Sequence, residues 1–230
     1  MRILVLSDIH GNYEALKAVD EKFDALLCLG DIADYGPAPE ECIEWIRGRA
    51  HSIVRGNHDN AVVKNADCNC SDKTIHLSIA TREYTRNVLS KSSMEYLGSL
   101  PLSQNVELGG NRIHMVHAAP SDPLFKYLQA DKIEEWQSEI EDIDADIILA
   151  GHTHIPFFMH VKDKLILNPG SVGQPRDGDP RLSYALIEGN SVILKRKEYN
   201  IRKTIDAICR TPIAPEVTEQ LAGILKTGRV

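Results

Sequence analysis

Long apolar runs are missing from this sequence, and that absence bounds it first. No stretch of about 18 apolar residues is present to cross a bilayer. The opening Ile3-Leu4-Val5-Leu6 is cut short by Ser7 and Asp8, too soon for the apolar centre of a secretory signal. A cytoplasmic protein outside the membrane is therefore expected. Cysteine is scarce and odd in number: Cys28, Cys42, Cys68, Cys70 and Cys209. An odd count makes a poor disulfide framework, and in a reducing compartment all five are expected as free thiols. Cys68 and Cys70, one residue apart, miss the C-x-x-C spacing of zinc and redox motifs and read as loop residues. Positive charge is also short, with 26 Lys and Arg against 33 Asp and Glu, a formal net charge of −7. Without a long basic run, an extended nucleic-acid surface is disfavoured, and an anionic substrate must be held by local charge.

What is present describes a globular protein. At 230 residues with 43% hydrophobic and 26% charged side chains, the chain can bury a sizeable core. No repeat, low-complexity tract or linker divides it, so residues 1–230 read as one domain. Strand-like Arg2 to Leu6, Ala25 to Leu29 and His51 to Arg55 alternate with helix-like Asn12 to Lys22 and Pro39 to Arg47. The second helix is marked by Pro in its first turn and by Glu40, Glu41 and Glu44 toward its positive end. This βαβαβ order implies a parallel α/β core. Residues 74–99 read as helical, within an insertion over 62–105 that reads as surface packing rather than a lid. Gly109-Gly110-Asn111 between two strand-like runs signals a hairpin that turns the pattern antiparallel. A helix near Asp131 to Glu141, a buried strand over Ile147 to Ala150, strands around Lys162-Asp163-Lys164 and a hairpin around Gly189-Asn190 follow. Residues 201–230 end in helices broken near Pro212 and Pro215.

Side chains able to bind metal fall at one kind of place. Asp8 and His10 follow the first strand, Asp31 and Asp34 the second, and Asn57, His58 and Asp59 the third. His117 follows the hairpin, and His152 and His154 follow Ile147 to Ala150. Loops at the carboxyl ends of parallel strands converge on a common edge, so residues far apart in sequence can meet there. One D-x-H is common by chance; five such groups after five apolar runs are not. His51, His76, His114 and His160 lie inside segments and read as structural, and Asp59 reads as a cap or supporting residue.

At Asp8-Ile9-His10, Gly30-Asp31-Ile32-Ala33-Asp34, Gly56-Asn57-His58-Asp59, His117 and Gly151-His152-Thr153-His154 the sequence resembles the calcineurin-like metallophosphoesterase superfamily. Asn168-Pro169-Gly170-Ser171 and the run from Gln174 to Arg181 look like its small bacterial and archaeal branch. The resemblance implies an α/β fold, a four-layer αββα sandwich of two mixed sheets flanked by helices. It also implies two divalent transition-metal ions. Asp8, His10, Asp31 and His154 would hold one ion, and Asp31, Asn57, His117 and His152 the other, with Asp31 bridging. Imidazole and carboxylate ligands without thiolate suit manganese, iron, zinc or nickel alike and suit calcium or copper(I) poorly; manganese is the expected occupant, with supply deciding among them. Two ions bring +4 against −2 from Asp8 and Asp31 and −1 from a bridging hydroxide, leaving a positive centre that attracts phosphate. The implied activity is hydrolysis of phosphodiesters or small phosphomonoesters, nucleotides among them, by metal-bound hydroxide. His58 would act as general acid with Asp34 orienting its ring.

The departures narrow this reading. Protein phosphatases and symmetrical dinucleoside tetraphosphatases carry Arg after the second Asp of G-D-x-x-D, where this chain has Tyr35, which lowers both assignments. Arg176 or Arg181 is then the candidate source of a guanidinium for the substrate, together with Asn57. The alternative on the same fold is a non-catalytic module like the retromer scaffold subunit, which lacks the catalytic histidine that His58 supplies here. Oligomerisation is left open.

Overall fold

In the computed structural model, which describes residues 1–71, 73–189 and 191–230, β1 (Arg2–Leu6), α1 (Tyr13–Ala18), β2 (Ala25–Cys28), α2 (Pro39–Arg47), β3 (Ser52–Ile53) and α3 (Asn57–Lys64) alternate. Helices α4 (Ile75–Val88) and α5 (Lys91–Ser99) lead to the hairpin of β4 (Ser103–Leu108) and β5 (Asn111–Val116). Next come α6 (Ile133–Ile140), β6 (Ile147–Leu149), β7 (Phe157–Val161) and β8 (Lys164–Asn168). The chain ends with β9 (Leu182–Glu188), β10 (Ser191–Lys197), α7 (Ile201–Ile208) and α8 (Pro215–Thr227). Asn190, in the last hairpin turn, lies outside the described residues.

Two mixed five-stranded sheets result, ordered β10-β9-β1-β2-β3 and β4-β5-β6-β8-β7. In the first, β1, β2 and β3 run parallel, with β9 antiparallel to β1. In the second, β5, β6 and β8 run parallel, with β4 and β7 as antiparallel edges. The period-2 alternation of a strand separates the layers. Ile3 and Val5 face inward and pack with Ile113, Met115, Leu149 and Leu167 of the opposite sheet. Leu4 and Leu6 face outward onto Ala15 and Leu16 of α1 and Ile43 and Ile46 of α2. On the far side Trp136 and Ile140 of α6 cover Ile148 and Ile166. The order is the expected helix, sheet, sheet, helix. Each fully buried aliphatic side chain contributes about 1.5–3 kcal/mol.

Three local readings shift. Helix α1 stops at Ala18 because the next turn is drawn into the sheet edge: Asp24 N donates to Arg2 O, and Arg2 pairs with Glu21. Strand β3 is trimmed to two residues, and a helix not read from the sequence begins at Asn57. Gly56 is its N-cap, and Asp59 at the third helical position accepts from Gly56 N at 3.2 Å. The expectation of five free thiols is also corrected. Cys28, Cys42 and Cys209 are free, but Cys68 and Cys70 are joined as a disulfide, because Asn69 between them turns left-handed (φ 52°) and brings the sulfurs together. Among the described residues no helix is long and apolar enough to cross a membrane.

Candidate metal centre

The loops after β1, β2, β5 and β6 are stitched to one another before any ion is considered. Asp8 N donates to Gly30 O at 3.1 Å, His10 N to Asp31 O at 2.9 Å and Gly151 N to His117 O at 2.7 Å. His152 N donates to Asp8 Oδ2 at 3.1 Å, joining the two sheets. The backbone turns sharply to do this. Asp8, His10, Asp31, Asp34, His152 and His154 all have left-handed φ, between 48° and 71°. Such residues cost energy and are held in place only where their surroundings fix them. Gly56 lies so close that a Cβ there would run into the Asp31 carboxylate.

The turns bring seven side chains together in two groups. In the first, His10 Nε2 and His154 Nε2 are 3.2 Å apart, His154 Nε2 is 3.3 Å from Asp8 Oδ1, and His10 Nε2 is 3.7 Å from Asp31 Oδ2. In the second, Asn57 Oδ1 is 2.9 Å from His117 Nε2 and 3.2 Å from His152 Nδ1, while His117 Nε2 is 3.3 Å from Asp31 Oδ2. Asp31 Oδ2 belongs to both.

The chemistry of these atoms fits divalent cations. Among the described residues, Asp8 Oδ1 and Asp31 Oδ2 are buried carboxylate oxygens with no hydrogen-bond partner, an arrangement that is costly unless a cation satisfies it. Two imidazoles are turned inward by their outer nitrogens: His117 Nδ1 donates to Leu29 O at 2.8 Å and His154 Nδ1 to Gln174 O at 2.5 Å. Each, when neutral, thereby presents the Nε2 lone pair, as ligating histidines do. Burial lowers His10, His152 and His154 well below the ordinary imidazole range. At His117 burial also acts to lower it, but the Asp31 carboxylate overrides this and carries the ring up to about 9. Burial pushes Asp8 up to about 6. For Asp31, burial is opposed and outweighed by His117 and His58, which hold it well below the usual carboxylate range. Asp8, His10 and His154, and Asp8, Asp31 and His117, each gather ligand atoms within 4.8 Å.

His58 stands beside the cluster. Its Nδ1 donates to Asp34 Oδ2 at 2.7 Å, and Asp34 also accepts from Ser78 Oγ at 2.8 Å and Thr81 Oγ1 at 2.5 Å. Those two hydroxyls sit on α4, so the 62–105 segment reaches the site rather than serving as surface packing alone. Sequence reading missed them, although a Ser and Thr three apart on one helix face were visible. Asp59 accepts from the amides of Ile32 and Ala33 and so caps the loop that carries Asp31. Tyr35 is buried against the rings of His10 and His58. The Arg176 guanidinium lies 5.9 Å from the Tyr35 ring centre and is held by Gln174 Oε1 at 2.7 Å. Arg181 instead is exposed and bonded to Asp179. Tyr127, also missed, lies with its ring 3.9 Å from that of His152. It lines an open cavity of about 370 Å³ with Lys73, Arg176 and Arg229. His51 and His160 are exposed, His76 bonds Gln220, and His114 bonds Asn105.

The profile of the calcineurin-like phosphoesterase superfamily domain matches residues 1–191. An uncharacterized protein of Methanocaldococcus jannaschii, MJ0912, is 32% identical, over 95% of this chain and 96% of its own. Phosphodiesterase YfcE of Escherichia coli is 25% identical over 83% of this chain and 89% of its own. The crystal structure of a metallophosphoesterase from Sphaerobacter thermophilus superposes with a TM-score of 0.84 at 32% identity, covering 99% of both chains.

Proposed function

The chain belongs to the calcineurin-like phosphoesterase superfamily, and on that premise we propose that it is a dinuclear-metal-dependent hydrolase of phosphodiesters or small phosphomonoesters. The observation that carries this reading is the pair of buried ligand groups that share Asp31 Oδ2, with carboxylate oxygens left unpartnered between them. Asp8, His10, Asp31 and His154 would hold one divalent ion, and Asp31, Asn57, His117 and His152 the second. The ions would neutralise phosphoryl charge and supply a water that ionises near neutral pH. The absence of sulfur among these ligands favours manganese or a borderline ion such as iron or zinc over a soft one.

The remaining steps fall to the chain's own side chains. Asp34 accepts from Nδ1 of His58 and fixes the ring, so Nε2 is the nitrogen that delivers a proton to the leaving oxygen. Ser78 and Thr81 hold Asp34 in that pose. Arg176, partly exposed and anchored by Gln174, supplies to the phosphate the positive charge that Tyr35 cannot. The cavity with Lys73, Tyr127 and Arg229 takes the ester substituent: Tyr127 offers a ring face and the cations offer attraction to an anion. A complete ligand set together with His58 favours catalysis over a purely structural module.

Hydrolysis of bis(p-nitrophenyl) phosphate by manganese-reconstituted protein tests the reading, with bound metal counted in parallel. Activity is expected in wild type and lost in Asp31→Ala and His58→Ala. Fewer than two ions per chain, or activity that survives both substitutions, would overturn it.

A further inference from the structure

Outside the two ligand groups, a third cluster of metal-capable atoms has a different chemistry. A ring nitrogen of His58 and the sulfurs of Cys68 and Cys70 lie within 4.8 Å of one another, and Cys70 Sγ is 3.4 Å from His58 Nε2. We propose that Cys68, Cys70 and His58 form a thiol-dependent site for a thiophilic divalent ion such as zinc, whose occupation withdraws His58 from the phosphoester site.

Four features support it. His58 gives Nδ1 to Asp34 at 2.7 Å, and Asp34 is held by two hydroxyls, so the ring is oriented with Nε2 free toward the sulfurs. A carboxylate behind an imidazole is the arrangement that raises ligand basicity at zinc sites. The cysteine loop is anchored to the same helix turn, since Asn57 Nδ2 donates to Cys68 O at 2.7 Å. Asn69, left-handed, turns both sulfurs to one side. Cys68 is buried while Cys70 is partly exposed, which leaves a route from solvent to a site with three protein ligands. Two thiolates and an imidazole select soft or borderline ions, in contrast to the sulfur-free centre next to them.

The sulfurs are bonded to each other here, so occupation requires reduction. Two equivalents of a low-molecular-weight thiol cleave the Cys68–Cys70 bond, giving two protein thiols and one equivalent of the small disulfide. The incoming ion then displaces the two thiol protons. Inhibition rests on the proposed role of His58 in hydrolysis; binding does not.

The test uses the full chain and cadmium as probe, read by ultraviolet thiolate-to-cadmium charge transfer. After reduction with a phosphine and its removal, manganese-loaded wild type should gain this band to a saturating amplitude, which follows the thiolate site alone. The oxidised protein and Cys68→Ser/Cys70→Ser should lack it, as should Cys70→Ser alone, a change at the more exposed position that guards against misfolding of the double variant. His58→Gln should weaken cadmium binding at least about tenfold. Zinc added to reduced, manganese-loaded enzyme should cut hydrolysis about a hundredfold, the scale of a lost proton donor, and should do so far less in Cys70→Ser. No saturating thiolate band in reduced wild type, or equal cadmium affinity in His58→Gln, would overturn the site. A chain that shows the band yet hydrolyses no phosphoester would refute the proposed hydrolase and leave the thiolate site standing.

Discussion

Replacing Asp59 with Ala should loosen the metal centre from behind. The Asp59 carboxylate is fully buried and accepts three backbone N–H groups: Ile32 at 2.9 Å, Ala33 at 3.0 Å and Gly56 at 3.2 Å. Each buried donor left without a partner costs about 1–3 kcal/mol. Three together set an upper range of about 3–9 kcal/mol, reduced where water enters the vacated volume, so a loss of about 3–5 kcal/mol is expected. Asp59→Asn keeps an acceptor for Ile32 and Ala33 but turns an NH₂ toward Gly56 N, and should cost about 1–3 kcal/mol. Urea unfolding of chelator-treated protein measures both without metal linkage. Because the freed loop carries Asp31 and Asp34, metal affinity should fall in the same order. An Asp59→Ala variant within about 1 kcal/mol of wild type would refute the reasoning, since that is the cost of a single unmade bond.

Gly56→Ala should abolish binding of at least one ion and destabilise the fold by about 1–3 kcal/mol, because its Cβ meets the Asp31 carboxylate; a variant that keeps two ions by metal analysis contradicts this. His117, carried up to about 9 in the metal-free protein, is protonated at neutral pH and must lose that proton to become a ligand. Metal affinity should therefore fall as pH drops below about 9, by up to about tenfold per unit. Competition titrations across pH check it, and a flat profile would contradict it. Arg176→Ala should raise KM about tenfold or more, as expected for a lost charge-assisted bond of about 1.5–3 kcal/mol, with stability within about 0.5 kcal/mol; an unchanged KM would mean that no such contact forms.

Much of the architecture was legible because it rests on periodicity. Ile3, Val5 and Leu4, Leu6 alternate as a strand buried on both faces must, and Pro39 with Glu40 and Glu41 marked the start of α2. The strand ends that carry Asp8, Asp31, His117 and His152 could be read for the same reason. Helix α3 was hidden because its cap is a glycine and its first turn, Asn57 to Asp59, reads as a polar loop. The hydroxyls of Ser78 and Thr81 and the cysteine pair were hidden for another reason. Their proximity to His58 arises from the packing of α4 on α3 and from one left-handed residue, Asn69, and no sequence periodicity encodes either.

The left-handed turns at Asp8, His10, Asp31, Asp34, His152 and His154 impose a double filter on the residue alphabet of this site. Valine, isoleucine or threonine would be rejected there by backbone sterics alone, and most other side chains by the loss of a donor atom. Asp and His, together with Asn, pass both filters. Random variation at these positions should therefore be tolerated far less than variation at equally buried strand residues such as Ile113 or Leu149, where shape alone is screened.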